Sequence, residues 1–130
     1  MNSSSPLKIF SLECDTVTNS ISPHARHISP DNVLQDLYRI INCELVTCTQ
    51  IEVNGKLFDV WSDDEALLKD KPAPNLYIDD DLIIFGSVAF AKSDEEGKLV
   101  GLSHEDVQLL WHFTCLQFPK LLKFLKNQRR

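Results

Sequence analysis

The sequence predicts an α+β fold, with a small, mainly antiparallel sheet of about four or five strands and two principal helices, the second long and C-terminal. Three observations predict it. Short runs rich in β-branched and aromatic residues are separated by turn residues, which is typical of strands. Residues 31–42 and the residues from 104 onward instead carry apolar side chains at helical spacing. An Asn-Gly pair between two strand-like runs favours antiparallel pairing.

The first third of the chain contains one predicted strand, one predicted loop and the first helix. Leu7 to Cys14 is predicted as a strand. Residues 15–30 are rich in Ser, Thr, Asn and Pro, which predicts a long loop. Pro30 and Asp31 commonly begin helices, and the helix predicted over 31–42 has its apolar residues on one face: Val33, Leu34, Leu37, Ile40 and Ile41.

A β-hairpin is predicted next. Residues 44–53 are rich in β-branched side chains and 56–61 form the return strand. Asn54-Gly55 supplies the turn, because both turn positions need a positive φ.

The segment after this hairpin is predicted to be a short helix and a loop. Ser62 and Glu65 have the spacing of a capping box, in which each side chain binds a free N–H at a helix start. This predicts a short helix over 63–69. Pro72 and Pro74 then predict a loop.

The run from Leu82 to Ala91 does not alternate polar with apolar residues, which is typical of a strand covered on both faces. We therefore predict an inner strand. Gly86 in its middle indicates a bulge or a close approach by another part of the backbone. Residues 94–98 are predicted as a turn with Gly97 in the left-handed region.

The final helix is predicted from residue 104, with Ser103 as its cap. Pro119 should kink or interrupt it, because proline removes a backbone donor and clashes with the preceding turn. One stripe of this helix is expected to face the core: Val107, Leu110, Trp111, Thr114, Cys115 and Phe118.

We expect a single domain over residues 1–130, with a disordered N-terminus over 1–6 and a basic amphipathic helical extension over 119–130. Charge is unevenly distributed. Between Asp59 and Asp106 there are 13 acidic residues and 4 lysines, whereas the extension carries five basic residues and no acid. An acidic body repels a nucleic-acid backbone, so direct nucleic-acid binding is not expected.

The sequence predicts a cytoplasmic protein with reduced cysteines. The longest apolar stretch is about half of what a membrane-spanning helix needs, and the N-terminus MNSSSP lacks the features of a secretory signal. The Cys and His spacings match no zinc-finger pattern well, so neither a metal nor a cofactor is expected. The free cysteines are expected to be buried as small apolar residues: Cys14, Cys43, Cys48 and Cys115.

Two acidic clusters, Asp79–Asp81 and Asp94–Glu96, flank the predicted inner strand. Neighbouring side chains of an extended chain point to opposite faces, and ten strand residues would separate the clusters by roughly 30 Å. We therefore expect solvated strand ends rather than a catalytic or metal site. The chain also carries no recognisable catalytic motif, so no catalytic residue is assigned.

A candidate ligand site lies in the predicted loop, where His24 and His27 flank Arg26. These cationic or titratable groups could bind an anion such as a nucleotide phosphate. Exposed loop residues without a role are the alternative.

The C-terminal extension is the candidate surface for self-association. Large apolar residues near a chain end seldom stay exposed on a soluble monomer, which favours a homodimer. Packing of the extension on the acidic body and contact with a host protein are the alternatives. The residues proposed for this contact are Trp111, Phe118, Leu121, Leu122, Phe124 and Leu125.

Residues from about Pro30 to Leu110 resemble a family of uncharacterised domains found in phages, plasmids and bacterial genomes. Four segments carry the likeness: VLQDLYRIINCELV, LFDVWSDDEALLKDKPAPN, IIFGSVAFA and DEEGKLVGLSHEDVQLL. This chain has Asn42-Cys43 where members of that family often have glycine, and it continues beyond the last shared helix. The resemblance implies an α+β fold and a mobile-element setting, and it brings no catalytic residues.

We therefore expect a small non-enzymatic binding protein of a phage or mobile element. It would antagonise a host component, for example of defence, by stoichiometric binding of a host protein or of a nucleotide signal. The alternatives are a small nucleotide-binding enzyme that uses residues 22–27, or an acidic mimic of DNA.

Overall fold

An antiparallel sheet with one helix on each face forms most of the structure. The computed structural model describes residues 5–15, 17–18, 20–69 and 73–128. The elements are β1 (Leu7–Asp15), β2 (Ser20–Ile28), α1 (Val33–Ile41), β3 (Val46–Val53), β4 (Lys56–Asp63), a 3-10 turn (Ala66–Leu68), β5 (Pro74–Asp79), β6 (Leu82–Phe85), β7 (Val88–Ser93), β8 (Leu99–Val100) and α2 (His104–Asn127). The predicted α+β class, the antiparallel sheet and the two principal helices are confirmed.

The main sheet has the strand order β2-β1-β7-β4-β3, with the short β8 also paired to β7, while β5 and β6 form a separate hairpin. Every strand pairing recorded is antiparallel. Strand β7 is the central strand, and its first four residues are fully buried.

The two faces of β7 explain how both helices pack. Val88 and Phe90 belong to the core on the α2 side, whereas Ala89 and Ala91 belong to the core on the α1 side. Side chains alternate between faces along a strand, so the small alanines all lie on one face. The larger Val and Phe fill the space between the sheet and α2.

The predicted inner strand over 82–91 is two strands, so that prediction is wrong in its extent. Gly86 has φ +81 and separates β6, which pairs with β5, from β7 in the main sheet. The Gly86 N–H donates to the carbonyl of Ala73 at 2.7 Å, which holds the break. A continuous apolar run indicates burial, and it carries no information on whether the strand stays in one sheet.

The predicted loop over 15–30 is also wrong, because residues 20–28 form β2. This strand pairs with β1 in an unbroken register from Ser20 to Ile28. It lies at the edge of the sheet, where one side faces solvent, so polar residues are tolerated. Pro23 is compatible with this position, since an edge strand does not need every backbone donor.

The capping box predicted at Ser62 and Glu65, with a helix over 63–69, is wrong. Ser62 lies within β4 and is paired on both sides, with Thr47 of β3 and Val88 of β7. Pairing on both edges extends the strand through Asp63, and only the 3-10 turn follows. Pro72 lies outside the described residues, and Pro74 begins β5 rather than a loop.

The predicted turns at Asn54-Gly55 and at Gly97 and the predicted cap at Ser103 are confirmed. Asn54 and Gly55 have φ values of 52 and 80, as the hairpin turn requires. Gly97 has φ +83 in the predicted turn. Ser103 accepts a hydrogen bond from the Asp106 N–H in a capping box. Helix α2 runs through Pro119 without interruption. The disorder expected for residues 1–6 falls mostly outside the described residues.

Candidate functional site

The apolar stripe predicted on α2 is divided between the core and the surface. The buried residues are Leu110, Thr114, Gln117 and Leu121, together with Asp106. The other half is open to solvent, with Trp111 47% exposed, Phe118 50% and Leu122 52%. We call Trp111, Cys115, Phe118 and Leu122 the exposed stripe. Their spacing places them along one line of the helix, beside the buried face.

A groove with a volume of about 320 Å³ lies beside the exposed stripe. It is bounded by α2, by the end of the β1–β2 hairpin and by β5. Its walls are mostly apolar and include Leu12, Ile21, Pro23, Leu76, Trp111 and Phe118. Ring contact fixes one wall, since the Trp111 and Phe10 rings lie edge to face with centroids 6.4 Å apart.

Asn75 supplies the buried polar group of this groove. Its side chain is 5% exposed, and its Nδ2 donates to the carbonyls of Leu12 at 3.1 Å and Gly86 at 2.7 Å. Because both contacts are carbonyl oxygens, the nitrogen must face them and the orientation of the amide is fixed. The Oδ1 atom is buried and has no hydrogen-bond partner.

Other polar side chains around the groove bind the protein itself. The Thr114 hydroxyl donates to the carbonyl of Trp111 at 2.9 Å. The Gln117 Nε2 donates to the carbonyl of Tyr77 at 2.8 Å and so joins α2 to β5. These bonds position the walls of the groove.

The residues proposed for self-association occupy three different environments. Leu121 is 2% exposed and belongs to the interior, so it is not available to a partner. Phe124 and Leu125 are half-buried, and the Phe124 ring contacts the Tyr77 ring at a centroid distance of 6.1 Å. Trp111, Phe118 and Leu122 are exposed. Residues 119–127 of the extension are therefore helical and pack in part on β5, one of the alternatives expected for the extension.

The histidine site predicted in a loop lies on β2 instead. His24 and Arg26 share one face of the strand with Glu13, whereas His27 is opposite Lys8 and faces the other side. Both Arg26 Nε and Nη2 donate to the Glu13 carboxylate. The His24 Nε2 lies 3.9 Å from the same carboxylate. The structure thus brings His24 and Arg26 together with an acid and separates them from His27.

The Glu13 carboxylate is well suited to hold Arg26. Its partial burial would raise its pKa, but hydrogen bonds from Arg26 and Ser11 outweigh this and lower the pKa. The hydrogen bonds that Arg26 donates to Glu13 in turn raise the pKa of Arg26. Two of the three guanidinium nitrogens of Arg26, Nε and Nη2, are therefore bound by Glu13.

The two acidic clusters shape turns. Asp80 accepts a hydrogen bond from the Tyr77 hydroxyl at 2.5 Å, and Asp79 accepts one from the Asp81 N–H at 2.8 Å. Asp94 accepts from the N–H groups of Glu96 and Lys98, each at 2.9 Å. In the part of the chain that the structure describes, no three His, Cys, Asp or Glu residues are grouped as metal ligands would be.

The four cysteines are free thiols. The expectation that they are buried is wrong for Cys48 and Cys115, which are exposed, while Cys14 and Cys43 are half-buried. Burial of its sulfur and the nearby Asp59 raise the pKa of Cys48 to about 11. Cys115 lines the groove.

Two important residues were not identified from the sequence. Asn75 lies in a proline-containing segment where its polar character indicated only a loop. Asp106 is 1% exposed and binds Lys56 at 3.1 Å and Lys92 at 3.2 Å. Its place at the third position of a capping box was visible, but its ion pairs span 50 and 14 residues of sequence.

Comparison with known proteins gives one match. A family model described as "Domain of unknown function (DUF3846)" matches residues 16–114. No curated protein and no solved structure matches the chain. The matched region includes Asn75 and Trp111, whereas Phe118 and Leu122 follow it. Within the described residues, no helix is long and apolar enough to span a membrane.

Proposed function

This chain belongs to the family of domains of unknown function DUF3846, and we propose that it is a non-enzymatic protein that acts by stoichiometric binding of a partner protein. The exposed stripe of α2 is the contact surface. One observation carries the proposal: Trp111, Phe118 and Leu122 are each about half exposed on one line of a helix that the core holds firmly.

The composition of this surface supports a protein partner. Aromatic residues are enriched in the parts of interfaces that contribute most to binding, and the stripe contains two of them. A rigid helix loses little conformational entropy when a partner binds. The stripe also continues into the groove, so a partner would meet a shaped surface rather than a flat one.

Three carboxylates that could have served as catalytic groups, those of Asp106, Asp63 and Glu13, are instead engaged by cationic side chains of the protein, which supports the non-enzymatic part of the proposal. Hydrogen bonds from Ser103, Lys56 and Lys92 overcome the effect of burial and lower the pKa of Asp106 to about 2. Asp63 accepts a hydrogen bond that raises the pKa of Lys69. Glu13 is held by Arg26. Catalytic acids and bases are usually left free to exchange a proton with a substrate.

We propose that the partner is a host-cell protein that belongs to the host's defence against a mobile element. The two proteins would meet in the host cytoplasm. The likeness to phage and plasmid domains supports this choice. We favour a protein over a nucleotide signal, because two of the Arg26 nitrogens already donate to Glu13. Self-association through the same stripe would instead give a complex of two copies of this chain.

The proposal is tested by affinity capture from host lysate with a matched pair of variants. Leu122→Glu puts a charge on the exposed stripe, whereas Leu68→Glu puts the same charge on another exposed leucine, 81% accessible and far from α2 in sequence. We expect wild type and Leu68→Glu to retain one partner at equimolar amounts, and Leu122→Glu to lose it. Equal capture by both variants would contradict the proposal.

A further inference from the structure

We propose that β3 pairs with β3 of a second copy of this chain, so that the two main sheets join into one antiparallel sheet across a two-fold axis. The pairing surface is distinct from the exposed stripe. Strands β2 and β3 form the two opposite edges of the main sheet, and β2 contributes Ile21 and Pro23 to the groove beside the stripe. The inference therefore adds a second interface, and it does not depend on the proposed function.

The first argument is the unpaired edge of β3. Among the described residues, β3 pairs with β4 alone, and residues 46–53 make no further backbone hydrogen bond. Val53 and Lys56 flank the two-residue turn and form a hydrogen-bonded pair, so alternate residues back from Val53 bond to β4. The intervening residues direct their backbone N–H and C=O groups away from β4, and we call them the outward-facing residues: Val46, Cys48, Gln50 and Glu52.

The second argument is that β3 lacks the features that keep edge strands apart. Proteins usually protect an exposed edge with proline, with lysine or other charges, with a bulge or with a very short strand. The opposite edge strand β2 has such protection, since it contains Pro23 and Arg26. Strand β3 has eight residues in unbroken register with β4, and its sequence VTCTQIEV contains β-branched residues and a single charge, at Glu52. An edge of this kind is a template for another strand.

The third argument is that β3 can pair with itself in one favourable register. The outward-facing residues of one copy must lie opposite those of the other, so the two-fold axis has to pass through a residue and not between two. An axis at Thr49 pairs every outward-facing residue, over residues 46–52, and gives about eight backbone hydrogen bonds. The same pairing would bring Leu45, which is 49% exposed directly before β3, beside Val53 of the second copy.

The side chains are compatible with this register. Glu52 would lie opposite Val46, and the two Glu52 carboxylates would lie at opposite ends of the pairing, so like charges do not meet. Thr49 would lie opposite Thr49 of the second copy, which is a favourable cross-strand pair. Thr47 would lie opposite Ile51, so that β-branched side chains pack together. The same patch serves both copies, as in most homodimers, which selects a second copy as the occupant.

The first test is the molar mass of the full chain by sedimentation equilibrium across micromolar concentrations. Gln50→Pro removes an outward-facing N–H, whereas Gln50→Thr at the same position keeps it. We expect wild type and Gln50→Thr to approach the mass of two copies, and the dissociation constant of Gln50→Pro to rise more than about tenfold. Thermal unfolding checks that both variants fold. A single-copy mass of wild type throughout, or a dimer that persists unchanged in Gln50→Pro, would overturn the inference.

The second test is disulfide crosslinking, which does not require the proline variant to fold. Cysteine is placed at position 49 or 47 of a protein in which Cys48 and Cys115 are serine. Opposed residues at Thr49 would have Cα atoms about 4.5 Å apart, within the range that a disulfide spans. The two copies of Thr47 would instead be roughly 13 Å apart along the strands. With oxidised glutathione, Thr49→Cys should give a disulfide-linked dimer and Thr47→Cys none above the background protein. Equal crosslinking at both positions, or none at 49, would contradict the register.

The dimer and the proposed function can fail separately. Gln50→Pro should become monomeric and still capture the host protein, whereas Leu122→Glu should lose the host protein and remain a dimer. A dimer that is lost in Leu122→Glu and kept in Gln50→Pro would place self-association on the exposed stripe, and it would overturn the pairing of β3. A dimer that depends on Gln50, without any captured host protein, would support this pairing and overturn the proposed function.

Discussion

The Nζ of Lys56 lies 3.1 Å from the Oδ1 of Asp106, which joins the turn of the β3–β4 hairpin to the first turn of α2. Lys92 of β7 binds the other carboxylate oxygen at 3.2 Å, and the Ser103 N–H donates to it as well. One buried carboxylate thus attaches the start of α2 to two strands of the sheet. The groove and the exposed stripe depend on this placement of the helix.

Replacement of Asp106 should weaken the fold. Asp106→Asn leaves two lysines beside a neutral amide, and we expect the free energy of unfolding to fall by about 3 kcal/mol. The exposed neighbour is the control: Glu105→Gln should cost less than about 1 kcal/mol. Denaturation with urea at pH 7 measures both. An Asp106→Asn protein as stable as Glu105→Gln would contradict this role.

Because the pKa of the Asp106 carboxylate is lowered in the folded protein, the stability of the fold should depend on pH. Its pKa in the folded protein is about 2, below the ordinary value of 3.8, so the folded state favours the charged form. The resulting stabilisation of about 2 kcal/mol is present above pH 4 and is lost as the pH falls from about 4 to 2. Urea denaturation across this range should show a smaller loss for Asp106→Asn than for wild type. Identical pH profiles would contradict the assignment.

Hydrogen exchange should change abruptly at Gly86. Residues 88–90 of β7 pair with both β1 and β4, and Ala91 pairs with β4. Strand β6, in contrast, pairs only with β5. We expect the slowest amides at Val88–Ala91 and faster exchange at Leu82–Phe85, because a two-stranded hairpin opens more easily. Uniform protection from 82 to 91 would indicate one continuous strand and contradict the break.

Gly86 itself should resist substitution for a backbone reason. A Cβ at this position would lie 3.7 Å from the Ala66 Cβ, an ordinary contact, so the space is sufficient. The φ of +81 is unfavourable for alanine, and Gly86→Ala should lower the free energy of unfolding by about 1–2 kcal/mol. Gly86→Asn should cost less, since asparagine tolerates this region better. The opposite ranking in urea denaturation would argue against backbone strain as the cause.

Local signals in the sequence predicted the local structure well. The turn at Asn54-Gly55 and the cap at Ser103 depend on neighbouring residues alone, and both were predicted correctly. The edge strand β2 was missed because its pairing partner, and not its composition, makes it a strand. Ser62 resembled a helix cap, but pairing with Thr47 and Val88 on its two sides determined its conformation.

The sequence predicted the helical part of the candidate site but not the part formed by residues distant in sequence. Helical spacing identified Trp111 and Phe118 as members of an apolar stripe, but it could not show which part of the stripe the sheet covers. The polar group of the groove depends on three distant segments, since Asn75 binds the carbonyls of Leu12 and Gly86. No local pattern records such a contact.

Site-specific photocrosslinking in the host cell tests the central claim most directly. A photoreactive residue replaces Leu122 on the exposed stripe, and in a control protein it replaces Leu68. Our account predicts one crosslinked product of defined mass from position 122, formed with a host protein in a one-to-one ratio and absent from position 68. The same products from both positions, no product from 122, or a product with the mass of two copies of this chain would contradict it.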